Sequence, residues 1–233
     1  MDIAEKLAGF GFGYASPTEF VERHLRKEQM GHGRSHAGSR FNGASRQNRR
    51  GARRDHRMLN GLVYRPEFLS SEEEAGVVRV LEGLDYREVV MHGQAAKRTV
   101  RHFGLDYDYQ SRSTEPADPL PAELEFVRER AGALAERELA QILISRYPAG
   151  AGIGWHRDAP MFGRIVGVSL GAPCRMRFQR RTKEGERLVE ELELEPRSAY
   201  LLSGQARWTW QHSIPATKDL RYSITFRSLK EPG

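Results

Sequence analysis

The chain has a single cysteine, Cys174, among its 233 residues, so no disulfide can form within it. No apolar run approaches the ~18 residues that a transmembrane helix needs. Residues 1–6 lack the basic start and the apolar stretch of a secretory signal peptide. These absences predict a cytoplasmic protein with no membrane partner, in which the lone thiol is a small buried side chain.

An excess of positive charge is absent outside one segment, although the net charge of the chain is +6. Residues 31–57 hold eight arginines and one aspartate, a net charge of +7, whereas residues 1–30 sum to −1 and residues 58–233 to zero. The basic segment either binds nucleic acid through its arginines or is a solvated extension, and both interpretations stay open.

Composition divides the chain into three parts. Residues 1–30 form an N-terminal extension in which Ser16-Pro17-Thr18-Glu19 predicts the start of a short helix. Residues 31–57 are rich in Gly, Ser and Arg and poor in apolar side chains, which predicts a disordered linker. The folded domain is predicted to cover residues 58–229.

Within this domain, two helical patterns precede a series of strand patterns. Ser70 and Ser71, followed by Glu73 and Glu74, predict the start of one helix, and a second is predicted over residues 121–139. The short runs that follow alternate with Gly and Pro, which predicts an antiparallel sandwich or jelly roll, with Gly185 in a hairpin turn. These runs are Ile142–Tyr147, Arg164–Leu170, Arg175–Gln179, Arg187–Leu194, Ala199–Leu202, Trp208–Gln211 and Tyr222–Phe226.

Two histidines and one aspartate have the composition of a metal site. His156 and Asp158 are two residues apart, so on a strand their side chains point to the same face. His212, which follows an aromatic run, fits as the third ligand. Two imidazoles and one carboxylate hold non-haem Fe(II) and leave positions open for substrate and oxygen. The alternative is a surface pair of His156 and Asp158, which arises often by chance.

The last strand pattern has a polar face with an arginine at each end. Odd-numbered residues from Arg221 to Arg227 are polar and even-numbered ones are apolar or aromatic, so the two sets face opposite sides. Guanidinium groups pair with carboxylates and stay charged when buried. The polar face therefore predicts a pocket for a small dicarboxylate, the alternative being a solvated edge strand. Ser145 and Tyr147 also share a strand face, so both can hydrogen-bond one ligand.

Together these motifs resemble the AlkB-type Fe(II)/2-oxoglutarate-dependent dioxygenases over roughly residues 59 to 229. The resemblance implies an α+β, mainly β fold: a double-stranded β-helix, or jelly roll, with flanking N-terminal helices. The motifs are Ser145-Arg146-Tyr147, Gly150, His156-x-Asp158, Ser169-Leu170, Ser203-Gly204, His212 and Arg221-x-Ser223-x-Thr225-x-Arg227.

The resemblance also implies the cofactors Fe(II), 2-oxoglutarate and O2. The implied iron ligands are His156, Asp158 and His212. Arg221 and Arg227 would hold the two carboxylates of 2-oxoglutarate, with Tyr147 hydrogen-bonded to it. Ser145 and Ser223 stand where the family usually has asparagines, so they are candidate contacts made differently or through water.

Candidate substrate contacts lie in a segment that resembles the family's nucleotide-recognition region. They are Arg101, Phe103 and Tyr107, whose aromatic members would stack a flipped base, unless they simply pack in a hairpin. One departure concerns substrate binding. Pro160 stands two residues after Asp158, where the well-studied repair enzymes carry an acidic residue that contacts the base.

The implied function is oxidative demethylation of N-alkylated bases in DNA or RNA, performed by a monomer with alkylated nucleic acid as its partner. One alternative is an oxygenase that hydroxylates or demethylates a protein or a small molecule, which Pro160 and the neutral charge of the domain favour. Another is a non-catalytic nucleic-acid-binding module on the same fold.

Overall fold

The computed structural model describes residues 59–91, 94–107 and 114–231. The helix predicted from Ser16 and the linker predicted over residues 31–57 lie outside the described residues. Three α-helices are described, α1 (Ser71–Glu82), α2 (Glu125–Ala135) and α3 (Gly204–Trp208), and a 3₁₀ turn (Ala122–Leu124) precedes α2. Every helix in this part of the chain is too short or too polar for a membrane crossing.

Strands dominate the described chain. In chain order they are β1 (Leu62–Arg65), β2 (Arg87–Met91), β3 (Gln94–Phe103), β4 (Leu105–Tyr107), β5 (Thr114–Pro116), β6 (Gln141–Tyr147), β7 (Ile153–His156), β8 (Phe162–Gly171), β9 (Cys174–Arg181), β10 (Arg187–Leu194), β11 (Ser198–Leu202), β12 (Gln211–Ile214) and β13 (Arg221–Leu229).

Two antiparallel sheets form the jelly roll. The larger has the order β1-β11-β8-β13-β6-β3-β2 and the smaller the order β10-β9-β12-β7, while β4 and β5 form a separate pair. The strands β6 to β13 contribute four members to each sheet, as a jelly roll requires. The predicted mainly β fold is therefore confirmed, and β1, β3 and β2 extend the larger sheet at its two edges.

The two helices before the jelly roll cover the outer face of the larger sheet. Ser70 caps α1: its hydroxyl accepts from the Glu73 backbone N–H, and the Glu73 carboxylate accepts from the Ser70 N–H, so the predicted capping box is confirmed. The second predicted helix is shorter than residues 121–139, because Glu136 adopts a left-handed conformation that ends α2. Their buried side chains join Ile144 and Phe226 in one apolar core.

A second apolar core lies between the two sheets and supports the functional site. It contains Ile165 from β8, Leu202 from β11, and Met176 and Phe178 from β9. Strand β13 runs between β8 and β6 and is therefore central, so the alternative of a solvated edge strand is wrong. Its even-numbered residues join the outer core and its odd-numbered residues face the smaller sheet, as the alternation predicts.

The predicted strand at residues 208–211 is wrong. Helix α3 ends at Trp208, and β12 begins only at Gln211. Trp208 is 41% exposed and does not share a strand face with His212, whereas Trp210 is buried in the core between the sheets. Trp and Thr favour strands locally, but here the packing of buried Ala206 and Arg207 decides for a helix.

Candidate metal and co-substrate site

The two histidines and the aspartate meet in the smaller sheet, at the end of β7. His156 is the last residue of β7 and lies opposite His212 of β12, with ring centroids 4.3 Å apart. Asp158 follows the strand rather than lying on it, and its Oδ2 is 3.5 Å from His212 Nε2. One ligand atom from each residue lies within 4.8 Å of the others, close enough to hold one metal ion.

Both imidazoles have the neutral form that a metal requires. Burial lowers the pKa of His156, and it lowers the pKa of His212 to about 4 despite the attraction of Asp158. His156 Nδ1 lies 2.9 Å from the Gly154 carbonyl oxygen, which leaves Nε2 free for a ligand bond. At pH 7 neither imidazole competes for a proton with a bound cation.

Arg227 keeps the carboxylate of Asp158 ionised and oriented. Burial alone would raise the pKa of Asp158, but the positive charge of Arg227 holds it well below its ordinary value. Arg227 Nε donates to Asp158 Oδ1 at 2.9 Å, and its NH1 donates to Gln141 Oε1 at 2.6 Å. Because Arg227 holds Oδ1, Oδ2 is the oxygen turned toward His212. The structure thus brings Arg227 directly to a candidate metal ligand.

Arg221 has the properties of an anion-binding residue. Its side chain is fully buried, and NH2 donates to Ser169 Oγ at 3.1 Å. Its Nε and NH1 are buried without a hydrogen-bond partner among the described residues. Tyr147 lies beside it, with the guanidinium carbon 4.9 Å from the ring centroid. Leaving charged donors buried without acceptors is costly, so this site fits a carboxylate such as that of 2-oxoglutarate.

A row of four serines crosses the sheet next to Arg221. The strand register places Ser198, Ser169, Ser223 and Ser145 side by side on β11, β8, β13 and β6, and all four are buried. Small side chains in register leave room above the sheet that larger residues would fill. The two predicted co-substrate contacts, Ser145 and Ser223, are members of this row.

A third arginine faces the same space; it begins the segment that resembles the nucleotide-recognition region, but it was not among the predicted site residues. Arg98 of β3 is 8% exposed; its NH1 donates to Ser145 Oγ at 3.1 Å, and its guanidinium carbon lies 5.9 Å from the Tyr147 ring centroid. Val100 and His102 share its face, because Val100 pairs with Ser145 in the register. Strand alternation could have grouped these three residues, but not assigned them to the pocket.

The candidate substrate residues are not brought to this face. Phe103 is 3% exposed and packs in the outer core, and Arg101 forms an ion pair with Asp118. Both lie on the face of β3 opposite to Arg98, since Phe103 pairs with Ile142 of the outer core. The side chain of Tyr107 lies outside the described residues, so its role stays a prediction. Pro160 is exposed.

Arg207 was missed by the sequence analysis and supports the loop that carries Asp158. It is 3% exposed within α3 and donates to three backbone carbonyls of that loop. The acceptors are the oxygens of Ala159 at 2.7 Å, Phe162 at 2.8 Å and Gly163 at 3.1 Å. Helix α3 leads into β12, so Arg207 connects the segments that carry two of the three candidate ligands.

A jelly roll that holds two imidazoles and one carboxylate, together with a buried guanidinium whose donors lack partners among the described residues, defines the class of non-haem metal oxygenases. The family model described as the 2OG-Fe(II) oxygenase superfamily matches residues 61–227. The chain belongs to this superfamily, as an AlkB-type member. Members of this superfamily use Fe(II), 2-oxoglutarate and O2, and the three candidate ligands fit the iron.

Curated relatives carry AlkB-homologue names. The "Alkylated DNA repair protein ALKBH8 homolog" of Arabidopsis thaliana is 30% identical over 186 residues, which cover 69% of this chain and 52% of that protein. The "tRNA (carboxymethyluridine(34)-5-O)-methyltransferase alkbh8" of Xenopus tropicalis is 30% identical over 167 residues, covering 68% of this chain and 26% of that protein. The chain thus spans about half of the first relative and a quarter of the second.

Solved structures share the fold. The structure titled "The structure of OsALKBH1" aligns with a TM-score of 0.58 at 14% identity, over 72% of this chain and 96% of that one. A 2OG-Fe(II) oxygenase family oxidoreductase from Burkholderia pseudomallei aligns with a TM-score of 0.55 at 16% identity, over 75% and 87% of the two chains. At these identities the likeness establishes the fold alone.

Proposed function

We propose that the chain is a dioxygenase that oxidatively demethylates N-alkylated bases in DNA or RNA, using iron held by His156, Asp158 and His212. The observation that carries the proposal is the combination of this ligand triad with the buried Arg221, whose Nε and NH1 have no partner among the described residues. A metal site together with an unpaired guanidinium suits a co-substrate that binds the metal at one end and the arginine at the other.

Each residue has a defined task in this proposal. Bound Fe(II), with 2-oxoglutarate and O2, supplies the oxidation of a substrate C–H bond. Arg221 binds the carboxylate of 2-oxoglutarate far from the metal, and Tyr147 beside it donates a hydrogen bond. Arg227 acts on the metal side by orienting Asp158, a role that fits its contacts better than direct binding of the second carboxylate. Ser145 and Ser223 line the floor of the pocket.

Two observations support nucleic acid as the substrate. The names of the Arabidopsis and Xenopus relatives refer to alkylated DNA repair and to tRNA modification. In addition, β2 and β3 continue the larger sheet beyond β6, and β3 places Arg98 and His102 on the face turned toward the smaller sheet, which carries the two histidine ligands. This extension offers a wall with a buried cation beside the metal site, where a flipped nucleotide could be held.

The test is formaldehyde release from methylated oligonucleotides, measured with Fe(II), 2-oxoglutarate and O2. Single-stranded DNA and RNA carrying one N-methylated base each should yield formaldehyde and succinate in equal amounts. His156→Ala should abolish both products, because one metal ligand is lost. Arg101→Met is the matched control, since Arg101 lies on the other face of β3, and should retain activity. If succinate forms but none of the oligonucleotides releases formaldehyde, the proposal is contradicted.

A protein or small-molecule substrate is the second candidate, and Pro160 favours it. This exposed proline cannot supply the acidic contact that the well-studied repair enzymes make to a base. If this candidate is correct, 2-oxoglutarate turnover without substrate should be measurable and oligonucleotides should not stimulate it. A non-catalytic binding module would show neither turnover nor stimulation, and it would not require the whole ligand triad.

A further inference from the structure

Tyr200 of β11 extends its ring over the neighbouring strand toward the centre of the pocket. A Cβ atom added to Gly167 of β8 would lie 2.3 Å from the Tyr200 Cζ and 2.4 Å from its hydroxyl oxygen. Tyr200 and Gly167 are register partners, so the ring occupies the space that a side chain at residue 167 would take. The absence of that side chain is what allows the phenol to reach across β8.

The tip of the ring points toward β13 between the two arginines of the site. Gly167 pairs on its other side with Thr225, which lies between Arg221 and Arg227 along β13. The hydroxyl is therefore directed at the space between the guanidinium of Arg221 and the metal ligands. Burial, and after it the negative charge of Asp158, raises the pKa of Tyr200, which agrees with a position beside that ligand.

The hydroxyl of Tyr200 makes no hydrogen bond to the described residues, and it is not one of the fully buried polar atoms, so it opens onto the space between the sheets. Tyr64 of β1 provides the contrast, because it pairs with Tyr200 across the strands and its hydroxyl accepts the Glu195 backbone N–H at 3.2 Å. A hydroxyl that is not used within the protein and opens onto the pocket is available to a molecule bound there.

The surroundings indicate which chemistry that molecule has. Arg221 offers donors only, and Tyr147 and the serine hydroxyls can donate as well, so a carboxylate is the group that suits them together. We propose that Tyr200 is a further 2-oxoglutarate-binding residue, whose hydroxyl donates to a carboxylate of the co-substrate. The proposal rests on the metal and co-substrate site proposed above, and it assigns a contact that the family motifs do not include.

The experiment measures 2-oxoglutarate binding rather than turnover, by calorimetric titration of the Mn(II)-loaded protein without oxygen. Tyr200→Phe keeps the ring over Gly167 and removes only the hydroxyl. A hydrogen bond to a charged group contributes about 1.5–3 kcal/mol, so Kd should rise by roughly 10-fold or more. Tyr64→Phe is the matched control and should change Kd less than about twofold, because its hydroxyl is used within the protein.

Two further variants separate the possible failures. Gly167→Ala keeps the phenol but displaces the ring, and it should weaken 2-oxoglutarate binding as Tyr200→Phe does. Arg221→Met tests the site itself and should weaken binding more strongly. If Arg221→Met weakens binding while Tyr200→Phe leaves Kd unchanged, the role of Tyr200 is overturned. If neither variant changes Kd, the proposed site is overturned as well. An effect of Tyr200→Phe on oligonucleotide binding alone would also refute the inference.

Discussion

Replacing Arg207 by Met tests whether a residue outside the metal site controls the geometry of that site. The substitution keeps an apolar stem but removes the donors to the carbonyls of Ala159, Phe162 and Gly163. Each such bond contributes about 1.5 kcal/mol at the low end for a charged donor, so the free energy of unfolding should fall by roughly 3–5 kcal/mol. The loop that these bonds hold begins next to Asp158.

The change in metal affinity tests the role of Arg207 more directly than the change in stability does. Residues that orient a metal ligand typically change metal affinity by about 10- to 100-fold when they are removed. Titration with Co(II), followed by its visible spectrum, should therefore show a Kd raised by about that factor in Arg207→Met. Arg207→Lys keeps the charge and should recover part of the loss.

Arg164→Met is the matched control for this prediction. Arg164 donates to the Ala135 carbonyl at the end of α2 and pairs with Glu136, so its loss should lower stability without moving Asp158. The reasoning is refuted if folded Arg207→Met binds Co(II) within about twofold of the unsubstituted protein, or if Arg164→Met weakens binding equally.

Three other predictions follow from the same contacts. Arg227→Met should lower the free energy of unfolding by about 3–5 kcal/mol in urea titrations, because it leaves the charge of Asp158 buried without its main partner. The Arg227→Met substitution should also weaken metal binding. The metal-free protein should lose stability as the pH falls from 6.5 to about 4, by roughly 1.4 kcal/mol per unit, because His212 resists protonation only in the folded state. Phe103→Ala should cost about 3–5 kcal/mol of stability and leave the KM for any substrate unchanged, since Phe103 packs in the outer core.

Each of these has a clear opposing result. Unchanged Co(II) affinity in Arg227→Met would remove its assigned role in orienting Asp158. A stability profile that is flat between pH 6.5 and pH 4, and identical in His212→Gln, would contradict the buried neutral imidazole. A raised substrate KM in folded Phe103→Ala would return that residue to the substrate site.

Local patterns were sufficient for much of the fold. The capping box of α1 and the bounds of β10, Arg187–Leu194, agree with the structure, because capping and strand alternation depend on nearby residues. The two faces of β13 were also predictable, because the side chains of a strand alternate between its faces whichever strands it pairs with. The chemistry of the site followed from the same alternation, which placed Arg221 and Arg227 on one face.

Contacts set by register were not predictable. Arg101 and Phe103 belong to the face of β3 that packs on the core, and only the pairing of β3 with β6 decides which face that is. The space over Gly167 exists because Tyr200 is its register partner on another strand. Arg207 contacts a loop more than forty residues earlier in the chain, which no local pattern indicates.

The most direct test of the central claim is the absorption spectrum of the protein with Fe(II) and 2-oxoglutarate in the absence of oxygen. Chelation of iron by a 2-oxo acid produces a visible band, and the site described here predicts one iron per chain and a band that requires 2-oxoglutarate. His156→Ala should remove the band by removing the iron, and Arg221→Met should shift its appearance to higher 2-oxoglutarate concentration. A protein that binds no iron, or whose band persists in both variants, would contradict the assignment of the metal and the co-substrate to these residues.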